Sequence, residues 1–241
     1  MIPVYISSKG KFNGDTPTTS LLKAGAREYK IFVETAYQKH HKDVVPLEKR
    51  GQRIGYARRE IQRYADRNEV EASWILDDDL KAFYRIPDRK GEPSVNGGAA
   101  LLHEAEESIP NVILNLEPLV AAFHLDFHSA ADRARNPDQF TFNKIPVMNI
   151  LVLWERVRKA KAEYDPGNWI HEDVDFALQL FKAHHQTVQF NRFSFRAAPG
   201  TTSATHPDYL AMSLKIQQKH PGWCQIVLQR NDKKWKKHLG V

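Results

Sequence analysis

Cysteine is almost absent from this chain of 241 residues, and long apolar segments are missing. Cys224 is the single cysteine, which excludes an intrachain disulfide and a zinc site built from several thiolates. No run approaches the roughly 18 apolar residues expected of a membrane-spanning helix. The first residues, Met1 to Ile6, have no basic leader and the composition of a first β-strand. These absences predict an intracellular, cytoplasmic protein with no membrane partner.

Acidic residues are outnumbered, because 35 Lys and Arg stand against 29 Asp and Glu and give a net charge of +6. Such a balance favours polyanionic partners such as nucleic acid without requiring one. The last fifty residues combine many cations with aromatic rings, namely Arg192, Arg196, Lys215, Lys219, Arg230, Lys233, Lys234, Lys236 and Lys237 with Phe193, Phe195, Trp223 and Trp235. The cations could bind phosphates and the rings could stack on an unstacked base, although a basic tail beside core aromatics gives the same pattern.

Three consecutive carboxylates, Asp77, Asp78 and Asp79, follow the apolar run Trp74 to Leu76. This order is typical of a buried strand whose end opens onto a site. The carboxylates repel one another, and Mg²⁺ or Mn²⁺, which prefer oxygen ligands, would relieve the repulsion. In an extended segment Asp77 and Asp79 point the same way, so these two could hold one metal ion. A solvated acidic turn is the competing interpretation.

The pattern of apolar runs and turn residues predicts an α/β fold. Strands are predicted over residues 4–7, 30–34 and 44–47, and helices over residues 18–24, 35–42 and 54–67. This alternation is typical of a largely parallel central sheet flanked by helices. Ligands of such sheets bind outside the carboxyl ends of the strands, where Ser7, Ser8, Glu34 and the acidic stretch all fall. We therefore expect a site for a nucleotide and a metal ion there.

A second acidic cluster, Glu172 and Asp173, opens a predicted helix that runs to about Lys182. Acidic residues in a first helical turn are favoured by the helix dipole. The alternative is a general base that takes a proton from an attacking hydroxyl. Further along the chain, His206 and His220 lie where a histidine could complete a metal coordination sphere.

No repeat, low-complexity tract or linker divides the chain, so a single domain over residues 1–241 is expected. We assign residues 1–86 to a donor-binding half and residues 87–241 to an acceptor-binding half. The region after Ala197 is expected to be loop-rich and basic.

Four motifs, taken in order, resemble GT-A-type glycosyltransferases. The motifs are Ile2 to Gly10, Gly55-Tyr56-Ala57-Arg58, Trp74 to Asp79 and His171 to Phe176. More narrowly, the chain resembles the TET-associated glycosyltransferase family of phages and related elements over about residues 2 to 196. That family is linked to sugar transfer onto hydroxymethylated pyrimidines in DNA. The resemblance therefore implies a GT-A-like fold, a UDP-sugar as donor and double-stranded DNA with hydroxymethylated bases as partner.

The resemblance also implies roles on the donor side. Ser7, Ser8 and Glu34 would line the nucleoside pocket of the nucleotide sugar. Arg58 would either approach the diphosphate or position the acidic stretch.

Catalytic roles follow from the same resemblance. Asp77 and Asp79 would hold Mn²⁺ or Mg²⁺ on the diphosphate, with His206 as a further candidate ligand. Glu172 or Asp173 would be the base or would orient the acceptor. One base suffices if the configuration at the sugar inverts, and a retaining route stays open.

Three other functions remain compatible with the sequence. A metal-dependent nuclease or nucleotidyltransferase would use the same acids on phosphodiester chemistry. A non-catalytic DNA-binding module would share the basic charge. A transferase with a saccharide or protein acceptor would share the donor site.

Overall fold

The structure, a computed structural model, describes residues 1–8, 10, 14–40, 43–49, 51–86, 95–116, 120–127, 140–143, 149–197, 207–231 and 234–240. The strands are β1 (Val4–Ser7), β2 (Tyr29–Glu34), β3 (Val44–Leu47), β4 (Ala72–Asp77), β5 (Leu80–Arg85), β6 (Val95–Asn96), β7 (Val120–Phe127), β8 (Phe140–Phe142), β9 (Ile150–Leu153), β10 (Gln186–Ala197), β11 (Gln225–Asn231) and β12 (Lys234–Gly240). The helices are α1 (Pro17–Ala24), α2 (Ile54–Arg67), α3 (Ala100–Leu116), α4 (Trp154–Ala160), α5 (Glu172–Lys182) and α6 (Tyr209–Lys219), and a 3-10 helix covers Thr35–His40.

A large central sheet contains β1 to β10, in the order β3-β2-β1-β4-β9-β7-β10-β5-β6, with β8 also paired to β10. The pairs among β1, β2, β3 and β4 are parallel, and so is the pair of β7 with β10. The strands β9, β5, β6 and β8 pair antiparallel with their neighbours. The predicted α/β class is confirmed. The sheet, which was predicted to be largely parallel, is partly antiparallel because β5, β6, β8 and β9 run antiparallel to their neighbours.

Helices cover both faces of this sheet, as the alternation of side chains along a buried strand requires. In β1, Val4 and Ile6 pack with α1 and α3, whereas Tyr5 packs with α2. In β4, Leu76 and Ile75 are divided between the two faces in the same way. The helices α2, α4 and α5 share one face of the sheet.

The elements of the first 80 residues lie where the sequence predicts them, and α2 covers residues 54–67 as predicted. The region after Ala197 contains more regular structure than expected, because α6 and the antiparallel hairpin of β11 and β12 occupy most of its described part. Both predicted halves contribute strands to one sheet, so their division into donor and acceptor parts stays a prediction. Among the described helices, none is long and apolar enough to cross a bilayer.

Candidate functional site

The acidic stretch lies at the carboxyl edge of the parallel strands. Ser7 is in register with Asp77 on one side and with Phe32 on the other, which brings the ends of β1, β2 and β4 together. The strand β4 ends at Asp77, and the next two aspartates form the turn into β5. The predicted alternation of an extended segment therefore does not extend past Asp77. Instead, Asp78 is buried and accepts a hydrogen bond of 2.7 Å from Ser8 Oγ.

Side-chain hydrogen bonds hold both the backbone N–H and the backbone carbonyl of Asp77. Its N–H donates to Asn149 Oδ1 at 2.9 Å, and its carbonyl accepts from Thr18 Oγ1 at 2.6 Å. The same threonine oxygen accepts from the N–H of Leu80 at 2.9 Å. These contacts hold the turn between β4 and β5 in one position. Sequence reasoning missed both Thr18 and Asn149, because each lies far from Asp77 in the chain.

Arg58 joins the two acidic clusters. Its Nη2 lies 3.0 Å from Asp77 Oδ1, and its Nη1 lies 3.1 Å from Glu172 Oε1. The side chain is buried, and burial alone would lower the pKa of its guanidinium, but Asp77 and Glu172 outweigh burial and raise this pKa above its usual value. Of the two predicted roles, the geometry favours positioning of the acidic residues, since both arms of the guanidinium face carboxylates.

A glycine allows α2 to approach the segment before α5. A Cβ atom on Gly55 would lie 2.2 Å from the carbonyl oxygen of Asn168, which is far too close. Asn168 is itself buried, and its Nδ2 donates to the carbonyl of His171 at 3.0 Å. The first turn of α2 thus packs directly on the segment that leads into α5. This packing is what brings Arg58 within reach of Glu172.

Glu172 and Asp173 both lie in the first turn of α5 and are both buried. Burial raises the pKa of Asp173, and the neighbouring charge of Glu172 raises it further. The Oδ1 atom of Asp173 accepts from the N–H of Val174 at 2.9 Å. Tyr164 lies near these two acids, and its ring stacks on that of Phe176 with 4.2 Å between the ring centroids. The result is a carboxyl group that holds its proton to higher pH than an ordinary aspartate.

A second buried charge cluster attaches the C-terminal part of the chain to α5. Asp175 is 0% exposed and accepts hydrogen bonds of 2.7 Å from both Lys219 Nζ and His220 Nε2. The ring of His220 thus pairs with Asp175, one turn along the helix from Glu172. The helix α6 is therefore anchored to the helix that carries the candidate base.

Replacing Asp175 with asparagine is expected to lower the free energy of unfolding by about 1–3 kcal/mol, because two charge-assisted hydrogen bonds in a buried site are weakened. Urea denaturation measures this change. The control is Asp66→Asn, since Asp66 and its partner Arg158, 3.2 Å away, are both exposed. We expect at most about 1 kcal/mol there. Equal effects of the two substitutions would contradict an anchoring role for Asp175.

The other residues predicted to bind the nucleotide sugar lie at the same edge of the sheet, and their side chains are either hydrogen-bonded within the protein or partly buried. Ser7 Oγ donates to the carbonyl of Leu76 at 3.4 Å, and Ser8 holds Asp78 as described above. Glu34 is half-buried at the end of β2. Their contact with a nucleoside stays a prediction.

Two of the aromatic residues expected to stack on a base belong to the core instead. Phe193 and Phe195 are each 3% exposed, and their side chains pack in the hydrophobic core on one face of the sheet. The expectation fails because β10 is a buried strand, which its apolar alternation also fits. Trp223 is another aromatic residue of the predicted nucleic-acid-binding set, and its side chain is 46% exposed. Lys219 is one of the cations of that set, and it pairs with Asp175.

The acidic turn offers oxygen ligands, which suit Mg²⁺ or Mn²⁺. Among the described residues, no three His, Cys, Asp or Glu side chains form a complete metal cluster. Asp77 and Asp79 are partly exposed, so a cation could bind them and take its other ligands from phosphate or water. The residues fit such an ion, and their metal role stays a prediction. His206 lies outside the described residues.

Comparison with known proteins agrees with the resemblance of the motifs. The family model of the TET-Associated Glycosyltransferases matches residues 2–200. A structure of S. aureus TarS 1-349 in complex with UDP-GlcNAc is similar, with a TM-score of 0.58 and 10% identity over 90% of this chain and 66% of that one. Glucosyl-3-phosphoglycerate synthase from Mycobacterium tuberculosis, in complex with Mg²⁺ and UDP, has a TM-score of 0.52 and 11% identity over 99% of this chain and 86% of that one.

These likenesses show the fold and confirm its GT-A-like architecture. The chain spans 64% to 66% of the length of the TarS fragments that it matches. No curated protein matches its sequence. Because the family model covers most of the chain, this protein belongs to the TET-associated glycosyltransferase family.

Proposed function

We propose that this protein transfers a sugar from a UDP-sugar to the hydroxyl of a hydroxymethylated pyrimidine in DNA. One observation carries the proposal: Arg58 joins Asp77, at the carboxyl edge of the parallel strands, to Glu172, at the start of α5. The two acidic clusters that we assign to the donor and to the base are thereby held within the span of one buried guanidinium. Membership of the glycosyltransferase family supports this assignment.

The donor is assigned to the edge formed by β1, β2 and β4. The similar TarS and glucosyl-3-phosphoglycerate synthase structures contain UDP-GlcNAc or UDP, and the latter also contains Mg²⁺. Asp77 and Asp79 would hold a divalent cation here. When bound, such an ion neutralises the negative charge that develops on the departing diphosphate.

Asp173 is assigned as the general base, with Glu172 as the partner that holds Arg58 in place. The hydroxymethyl oxygen of the acceptor attacks the anomeric carbon, and the bond between that carbon and the diphosphate breaks. UDP leaves, and the hydroxyl proton passes to Asp173. A carboxylate whose pKa is raised by burial and by Glu172 is better matched to this proton than an ordinary aspartate.

The acceptor is assigned to the side of α5 that faces the C-terminal part of the chain. Lys219 and His220, at the end of α6, are anchored on Asp175 of α5, and the hairpin of β11 and β12 follows α6 in the chain. Arg230 lies on β11, and Lys234, Lys236 and Lys237 lie on β12. A net charge of +6 and cations on this hairpin suit the phosphates of DNA.

The proposal is tested by mass spectrometry of nucleosides from duplex DNA that contains 5-hydroxymethylcytosine or 5-hydroxymethyluracil. The DNA is incubated with the protein, Mn²⁺ and a mixture of UDP-sugars. We expect the mass of one added sugar on the modified base, and no product with unmodified DNA. Cleavage of the DNA would favour the nuclease alternative. Hydrolysis of a UDP-sugar without a DNA product, and without salt-dependent DNA binding, would favour another acceptor.

Replacing Asp77 or Asp79 with asparagine is expected to weaken the Mn²⁺-dependent binding of UDP by more than the roughly tenfold that loss of an outer-shell partner costs. The reason is that each carboxylate contributes negative charge and a ligand to the cation. Isothermal titration calorimetry with and without Mn²⁺ measures the effect. The control is Asp66→Asn, a surface aspartate 3.2 Å from Arg158, which should bind UDP as the wild type does. Unchanged binding in the Asp77 and Asp79 variants would refute the metal assignment.

A further inference from the structure

Asn149 is an unusual residue at the centre of the site. It is 2% exposed and directly precedes β9, and its φ of 51° lies in the left-handed region. Asparagine is one of the few residues with a side chain that adopts this conformation readily. Its backbone carbonyl accepts from the N–H of Leu125 at 3.4 Å, so the residue is held between β4 and β7.

The orientation of the Asn149 side chain follows from its partner. The N–H of Asp77 is a donor, so the amide atom that faces it at 2.9 Å must be the oxygen. The amide nitrogen therefore points away from this N–H, yet it lies within about 5 Å of it, because the two ends of a carboxamide are about 2.2 Å apart.

That nitrogen, Nδ2, is buried and has no hydrogen-bond partner within the described part of the protein. A buried donor left unpaired loses its hydrogen bonds to water without gaining a partner, so buried amide groups are rarely left in this state. A left-handed backbone, which few residues other than glycine and asparagine adopt, and an unpaired donor thus coincide next to Asp77. The combination indicates that a ligand atom completes the amide.

We infer that Asn149 binds a hydroxyl of the sugar that is transferred; the inference rests on the function proposed above. The carboxylate of Asp77 is an acceptor and Nδ2 of Asn149 is a donor. A sugar hydroxyl both donates and accepts, so its chemistry suits both groups. An ionised phosphate oxygen has no proton to give to Asp77 and satisfies only one of them.

Asn149 contacts the backbone of Asp77 at the carboxyl edge of the strands, and this position agrees with a sugar ligand. The guanidinium of Arg58 spans Asp77 Oδ1 at 3.0 Å and Glu172 Oε1 at 3.1 Å, so the donor edge and the candidate base are close together. The group that lies between a diphosphate on one side and the base on the other is the transferred sugar. Asn149 is therefore a specificity residue for the donor sugar.

Two variants separate ligand binding from bracing of the turn. Asn149→Asp keeps an oxygen for the N–H of Asp77 and removes the donor. Asn149→Gly removes both contacts and keeps the left-handed backbone, which glycine adopts freely. The matched control is Asn143→Gly, because Asn143 has a φ of 53° and is exposed.

Isothermal titration calorimetry in Mn²⁺ gives dissociation constants for UDP, UDP-glucose, UDP-galactose and UDP-N-acetylglucosamine. The affinity of the tightest UDP-sugar is divided by that of UDP, which cancels any effect on the nucleotide part. We expect both Asn149 variants to lower this ratio about tenfold, as loss of one buried hydrogen bond implies, and Asn143→Gly to leave it unchanged.

A ratio that falls only in Asn149→Gly, or in neither Asn149 variant, would overturn the inference and leave the proposed function standing. If the wild-type protein bound neither UDP nor any UDP-sugar, the proposed function would fail, and the inference with it.

Discussion

Replacing Arg58 with methionine is expected to destabilise the fold by about 3–5 kcal/mol and to abolish sugar transfer. The guanidinium is buried and contacts Asp77 and Glu172, while the charge of Asp173 also acts on it. Without it, three carboxyl groups repel one another in a buried site. Chemical denaturation measures the stability, and a transfer assay on hydroxymethylated DNA measures the activity.

Arg58→Lys shows whether charge alone suffices. Lysine keeps the charge but cannot span two carboxylates with a planar fork, so we expect a folded protein with activity lowered by about 100-fold, as misplaced catalytic groups typically cause. The matched control is Arg63→Met on the same helix. Arg63 lies 2.8 Å from Glu60 and its own side chain is 56% exposed, so the loss should stay within about 1 kcal/mol. Full activity in Arg58→Met would contradict the role assigned to Arg58.

Replacing Asp173 with asparagine is expected to slow transfer by about 10²- to 10⁴-fold, the range for loss of a general base, while UDP binding is retained. In the wild type, activity should fall as the pH drops through the raised pKa of Asp173, at a higher pH than an ordinary aspartate would give. Rates measured against pH at saturating UDP-sugar test this. A variant that retains full activity would exclude Asp173 as the base.

The same substitution should also stabilise the protein. Because the pKa of Asp173 is raised in the folded state, the native protein binds more protons than the unfolded chain between the ordinary and the raised value. The stability contributed by this group is therefore full below the ordinary pKa and is lost as the pH rises through the raised one. Asparagine cannot ionise, so its advantage over the wild type grows across that interval. Urea denaturation at a series of pH values shows this.

Glu172→Gln is the contrasting variant. It removes the partner of Arg58 at 3.1 Å, so it should destabilise the protein. It also removes a charge that raises the pKa of Asp173, so any remaining activity should persist to lower pH than in the wild type. If Glu172 and Asp173 served only to interact with the helix dipole, the two substitutions would change stability in the same direction.

Local patterns in the sequence were sufficient for much of the fold. The apolar stripe of α2 and the apolar runs before Ser7, Glu34 and Asp77 are read over short windows, because strand and helix periodicity are properties of neighbouring residues. Since the carboxyl ends of adjacent parallel strands meet at one edge, the sequence also predicted that the acidic stretch, Ser7 and Glu34 would lie together there. Pairing direction was not readable in the same way, and β9 proved to be antiparallel between β4 and β7.

The sequence by itself predicted which carboxylates form the site and indicated the family to which the chain belongs, because motifs are short and contiguous. Only the tertiary structure decided their connections. Asn149 contacts Asp77, which lies 72 residues away in the sequence, and Asp175 contacts His220, which lies 45 residues away. It also showed that Arg58 contacts Asp77 and Glu172 together. Such contacts depend on how distant segments of the chain pack together, which short motifs in the sequence do not reveal.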